Sequence, residues 1–139
     1  MDLVLLDSSV FLEVLLHDEK EKQASEIINS IACGKIAGVT SALCVTEVKQ
    51  QVLKRFGSAK GDDAVYFVTG LPNSQTVDVT PEIASAAADL RFKYYDGKRR
   101  KMSLADAVQI ATAIKTGCNK IITRDSDYQN LEEIAAESY

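Results

Sequence analysis

Short apolar or β-branched runs at Leu3 to Leu6, Lys35 to Thr40 and Lys120 to Thr123 alternate with long stretches of helical periodicity. This order is the pattern of βαβ units, which bury a parallel sheet beneath helices. A weaker run, Thr76 to Val79, offers a fourth strand. The intervening stretches predict helices over Ser9 to Leu16, Glu19 to Cys33, Ser41 to Phe56, Gly61 to Thr69, Pro81 to Tyr95 and Ser103 to Thr116. Ser41 suits a helix cap, Pro81 a first turn, Ser103 with Asp106 a capping box and Gly117 a stop. The segment Tyr128 to Tyr139 reads as a short helix and a tail, and its apolar trace is too weak to predict a last strand.

No linker divides the chain, so residues 1–139 form one expected domain, long enough to bury roughly two thirds of the unfolded surface. An apolar share of 46% and a charged share of 26% are ordinary for a globular protein. Leu3 to Leu6 is too short for a membrane span or a signal core. Cys33, Cys44 and Cys118 are odd in number and form no metal-binding pair, which points to the cytoplasm. A net charge of −4 opposes nonspecific nucleic-acid coating but not an enzyme that recruits cations to an acidic pocket.

Ligands of open α/β sheets bind at the carboxyl ends of the strands, where the following helices begin. Asp7 directly follows the first strand, and Asp125 follows Lys120 to Thr123 after one residue. Asp106 lies in the first turn of its helix, and Glu47 lies six residues past Ser41, about 9 Å along the next. Carboxylates gathered this way raise one another's pKa unless a cation holds them. Oxygen donors without His or Cys suit Mg²⁺ or Mn²⁺, an arrangement fit for phosphodiester hydrolysis.

Each acid also has a plainer explanation. Asp106 can simply close the capping box, and one residue can serve as both cap and ligand. Glu47 falls on the polar side of a helix striped by Val45, Val48, Val52 and Phe56, where glutamates are ordinarily solvated. Asp7 and Asp125 could be turn residues, and Asp127 a helix cap. The run Lys98-Arg99-Arg100-Lys101 is either a solvated loop or a phosphate contact, with Tyr94 and Tyr95 beside it for base stacking or packing. His17 has no partner for chemistry.

Taken together, Leu5-Leu6-Asp7-Ser8-Ser9-Val10-Phe11-Leu12, Ser41-Ala42-Leu43-Cys44-Val45-Thr46-Glu47-Val48, Ser103-Leu104-Ala105-Asp106-Ala107-Val108-Gln109-Ile110 and Ile121-Ile122-Thr123-Arg124-Asp125-Ser126-Asp127-Tyr128 resemble the four motifs of the PIN domain nucleases, especially the VapC-like toxins. The resemblance implies a three-layer α/β/α sandwich around a mainly parallel sheet of four or five strands. It implies metal ligation and catalysis by Asp7, Glu47, Asp106 and Asp125, with Ser9, Thr123 and Asp127 as secondary contributors. It further implies cleavage of single-stranded RNA, homodimers and a VapB-like antitoxin partner. Two other classes compete: a noncatalytic PIN-like binding module, and an aspartyl-phosphate enzyme with Asp7 as nucleophile. The second would need an Asp where Ser9 stands.

Overall fold

A computed structural model describes residues 1–139. Strand β1 (Leu3–Leu6) is followed by α1 (Ser8–Leu15) and α2 (Glu21–Ala32). Then come β2 (Ala37–Ser41), α3 (Ala42–Phe56), α4 (Ser58–Thr69), β3 (Ser74–Val77), α5 (Pro81–Tyr94), α6 (Leu104–Lys115), β4 (Lys120–Ile122) and β5 (Ala135–Glu137). The strands form one sheet in the order β3-β2-β1-β4-β5, and every pairing is parallel, so the sheet expected to be mainly parallel is wholly so.

Alternation along β1 divides the core. Val4 and Leu6 face a cluster built with Phe11 of α1, Ile28 of α2, Val48 of α3 and Val68 of α4. Leu5 faces the opposite cluster, with Leu90 of α5 and Ile110 of α6. The result is a three-layer sandwich with α1 to α4 on one face and α5 and α6 on the other. None of these helices is long and apolar enough to cross a membrane. Gly117 takes φ +76° just past α6, the left-handed conformation that its Cβ-free backbone permits.

The final strand corrects the sequence reading. Residues Ser126–Tyr128 form a single 3₁₀ turn rather than the start of a helix, and Ala135–Glu137 pairs with the edge of β4. Glu137 binds the Thr123 N–H through its carbonyl at 3.1 Å and Lys120 through its carboxylate. The backbone ladder of β4 requires acceptors and donors from its neighbour whatever that neighbour's hydropathy, so a weakly apolar segment suffices.

The chain ascends β1, moves out to β2 and β3, and returns through α5 and α6 to β4 on the other side of β1. The strand order therefore reverses between β1 and β4, opening a crevice at their carboxyl ends. Close packing on the β2 side leaves no room at Gly38. A Cβ there would lie 2.8 Å from the Ser74 hydroxyl oxygen and 3.2 Å from Ile31 Cδ1. Gly38→Ala is expected to lower stability by about 1–3 kcal/mol, read as a lower urea midpoint with an unchanged slope.

Candidate active site

The crevice is an open cleft of about 570 Å³ whose walls include Asp7, Glu47, Asp106 and Asp125. Asp7 is 6% exposed, and its backbone N–H bonds the Ile122 carbonyl at 3.1 Å, which locks the carboxyl ends of β1 and β4 together. Its two oxygens accept from different hydroxyls. Thr123 Oγ1 donates to Oδ2 at 2.8 Å, and the buried Tyr128 hydroxyl approaches Oδ1 at 3.4 Å. Tyr128 also donates to Asp106 Oδ1 at 3.1 Å, so one phenol links two of the carboxylates.

Asp106 performs both roles that its position allows. Its Oδ2 accepts the Ser103 N–H at 3.1 Å while its own N–H donates to Ser103 Oγ at 3.0 Å, completing the capping box of α6. Oδ1 points instead to Tyr128 and the cleft. Asp125 likewise caps the 3₁₀ turn by accepting the Asp127 N–H at 2.8 Å, and its N–H donates to Thr123 Oγ1 at 2.9 Å. One ligand oxygen from each of Asp106, Asp125 and Asp127 lies within 4.8 Å of the others. Asp7 and Glu47 stand outside that tight trio yet line the same cleft, which spreads the acidic surface over more than one coordination position.

Glu47 is not the solvated residue that helical periodicity suggests. It is half-buried against the cleft, where Gln109 Nε2 of α6 donates to Oε1 at 3.0 Å. Burial, reinforced by the negative charges of Asp7 and Asp106, pushes its carboxyl up to about 7. Burial also raises Asp106 and Asp125, with neighbouring carboxylates adding to the effect. Cys44 lies close enough to feel Asp7 and Glu47, and burial pushes its thiol up, but it is buried and is not part of the cleft lining. What remains is an oxygen-only donor set crowded with negative charge, and that chemistry fits a hard divalent cation.

The family profile of the PIN domain matches residues 4–134. The chain belongs to the PIN domain family. Among solved structures, the toxin VapC20 of Mycobacterium tuberculosis, described as cleaving the sarcin–ricin loop, aligns at a TM-score of 0.76 with 18% identity, over 95% of this chain and 98% of that one. VapBC2 of Rickettsia felis, bound to a promoter DNA fragment, aligns at 0.74 with 12% identity over 98% of each chain. DNA-bound VapBC of Salmonella typhimurium aligns at 0.72 with 14% identity, over 99% of this chain and 98% of the other. Identities this low establish the shared PIN fold. No curated protein sequence matches the chain.

Around the PIN acids, the other expected residues take distinct places. Thr123 bridges Asp7 and the Asp125 backbone, while Ser9 Oγ accepts the Tyr139 hydroxyl at 3.1 Å and faces the Arg124 N–H at 3.4 Å. Asp127 accepts the Lys101 N–H at 3.3 Å, tying the basic loop to the site. That loop closes on itself through paired Asp96 and Arg100 backbone bonds of 2.9 Å. Arg100 donates to the Gln129 carbonyl at 2.7 Å and lies over Tyr94, whereas Lys98, Arg99 and Lys101 are exposed. Tyr94 packs and bonds Glu133; Tyr95 is 48% exposed beneath Arg91. His17 is exposed and bonds only Glu21, at 2.8 Å.

Gln109, Glu13 and Arg124 also belong to the site, though none is an acid at a strand end. Glu13 is 4% exposed inside α1, where it holds Arg124 and accepts the Lys20 N–H at 2.9 Å. A charge placed among the apolar neighbours Phe11, Leu12 and Val14 was the available signal, because a buried acid demands a partner.

Proposed function

We propose that this chain is a divalent-metal-dependent endoribonuclease that hydrolyses phosphodiester bonds of single-stranded or loop RNA, acting in the cytoplasm as the toxin of a VapBC-type pair. The observation that carries the reading is the convergence of Asp7, Glu47, Asp106 and Asp125, from four separate elements, on one open cleft at the strand-order reversal. Asp7, Glu47, Asp106 and Asp125 would hold Mg²⁺ or Mn²⁺, with Ser9, Thr123 and Asp127 supporting them. The bound ion supplies charge neutralisation and an activated water at neutral pH.

The protein's own groups do the remaining work. Thr123 and Tyr128 orient the Asp7 carboxylate, and Tyr128 and the capping box orient Asp106. Gln109 aims Glu47 inward. The cleft's openness admits a polymer rather than enclosing a small molecule. The loop Lys98, Arg99, Arg100 and Lys101, anchored to Asp127 and Gln129 beside the acids, is suited to the RNA backbone, with Arg100 also fastening the loop. The VapBC neighbours support a VapB-like antitoxin as the partner, and a homodimer is the assembly this reading proposes.

Incubating the protein with single-stranded RNA and Mn²⁺ is expected to yield internal cuts that EDTA abolishes and added Mn²⁺ restores. Absence of cleavage, combined with tight capture of a partner protein, would instead identify a noncatalytic PIN module. Cleavage without growth arrest on expression would place the enzyme in RNA processing outside a toxin system.

A further inference from the structure

Arg124 is the sole cationic side chain lining the acidic cleft. It stands between Thr123 and Asp125, the two residues that carry the end of β4 into the site. Its guanidinium engages a single acceptor, Glu13, through Nη1, leaving the Nε and Nη2 donors without protein partners. Its side chain is 37% exposed, while Glu13 is 5% exposed at the side chain. The pair is therefore lopsided: a buried carboxylate fixes one edge of the guanidinium and leaves the other edge open.

The anchoring has several parts. Glu13 follows Ser9 by one helical turn on α1, and its second oxygen is held by the Lys20 N–H at 2.9 Å. The Arg124 backbone N–H faces Ser9 Oγ at 3.4 Å, and Tyr139 donates to that same hydroxyl oxygen. Main chain and guanidinium of Arg124 are thus both referred to α1. A surface arginine with no function would ordinarily be free to swing, since an exposed ion pair repays its lost side-chain entropy poorly. Here the partner is desolvated and cannot itself follow a swinging arginine into water.

An arginine presenting two free donor nitrogens, Nε and Nη2, matches the non-bridging oxygens of a phosphate. The cleft's carboxylates repel a polyanion, so a fixed cation on its wall has an electrostatic purpose beyond holding α1. We infer that Arg124, aimed by the buried Glu13, grips the scissile phosphate of the RNA and stabilises the charge that builds on its non-bridging oxygens. This rests on the nuclease reading and adds a substrate-contacting residue to it. As the oxygen of water bonds to phosphorus, the bond from phosphorus to the leaving ribose oxygen breaks; a water proton is released and the leaving oxygen takes one up. Arg124 remains protonated throughout and contributes charge and orientation only.

The test compares wild type, Arg124→Lys, Arg124→Ala and Glu13→Gln on a mixed-sequence, single-stranded oligoribonucleotide carrying a fluorophore and a quencher, at saturating Mn²⁺. Arg124→Lys keeps the charge and the Glu13 partner but loses the planar fork. It is expected to lower kcat by about tenfold or more, with Tm and Mn²⁺ affinity close to wild type. Arg124→Ala should lose about a hundredfold or more in kcat/KM, and millimolar guanidinium should restore part of it. Glu13→Gln should fall between the two, because the arginine is present but unaimed. If Arg124→Lys matches wild type in kcat and KM, or if the Arg124→Ala loss follows only its folded fraction and ignores guanidinium, Arg124 is a structural tether and the inference fails. A wild-type protein inert with Mn²⁺ overturns the nuclease reading first and this inference with it.

Discussion

Asp7→Asn is expected to lower Mn²⁺-dependent RNA cleavage by about a thousandfold or more, equivalent to about 4 kcal/mol of barrier, with the fold intact. Asp7 is the most buried of the four acids: it is 6% exposed at the strand-order reversal, and both of its oxygens are oriented by hydroxyls. Asparagine keeps the shape but removes the charge, and its NH₂ group would turn toward hydroxyls that can also accept. Thr123 and Tyr128 can rotate to do so without opening a cavity. The negative charge felt by Glu47 falls at the same time, so no loss of stability accompanies the lost activity. Urea unfolding and cleavage measured on the same sample separate the two effects. Asp127→Asn is the internal comparison. Asp127 reaches the basic loop through the Lys101 N–H and places one oxygen in the acidic trio, so its loss is expected to reduce cleavage by about ten- to a hundredfold, the range of outer-shell partners. Asp7→Asn cleaving within tenfold of wild type would remove Asp7 from the catalytic set.

The residues that proved easy to place from sequence are those whose location follows from chain direction. Asp7 comes directly after an apolar strand and Asp125 within three residues of one, and in a parallel sheet that point can only be the carboxyl edge. Asp106 was legible twice, as a cap and as a cleft residue, and the structure uses one carboxylate oxygen for each. Glu47 was misplaced for a specific reason. Taking Val45 rather than Cys44 as core, together with Phe56, rotated the apolar stripe of α3, but Val45 is only partly buried, Phe56 is 49% exposed, and the buried line runs through Cys44, Val48 and Val52. That line puts Glu47 and Gln51 at its border, where both line the cleft. The pairing of Glu13 with Arg124 spans 111 residues, and no local pattern predicts a contact that only the meeting of α1 and β4 creates. The last strand was missed because its stability comes from backbone pairing with β4 rather than from apolar side chains.

Without divalent metal, the protein is expected to become less stable as pH rises from about 5 to 8, and saturating Mn²⁺ should reverse the trend. Glu47 carries the largest part. Its carboxyl is pushed up to about 7 in the folded protein by burial and by Asp7 and Asp106, against an ordinary glutamate value of 4.5. Below 4.5 the group is protonated in both states and contributes nothing. Between 4.5 and 7 the folded state binds more protons than the unfolded state, so unfolding free energy falls with pH, and above 7 the full penalty remains. Asp106 and Asp125, both raised, add with the same sign. Glu47 is only half-buried, so solvent screening leaves about 1–2 kcal/mol of the shift as a stability change, or roughly 5 °C in Tm for a domain of this size. Glu47→Gln removes the ionisation and should flatten most of the metal-free decline, leaving the weaker aspartate contribution. Mn²⁺ acts oppositely on wild type, since binding requires the deprotonated carboxylates and stabilises more as they ionise. Thermal melts of both proteins across that pH range, with EDTA and with Mn²⁺, decide the matter. A metal-free wild type that gains stability from pH 5 to 8, or a Glu47→Gln variant with an undiminished decline, would show that Glu47 does not face the other carboxylates in solution.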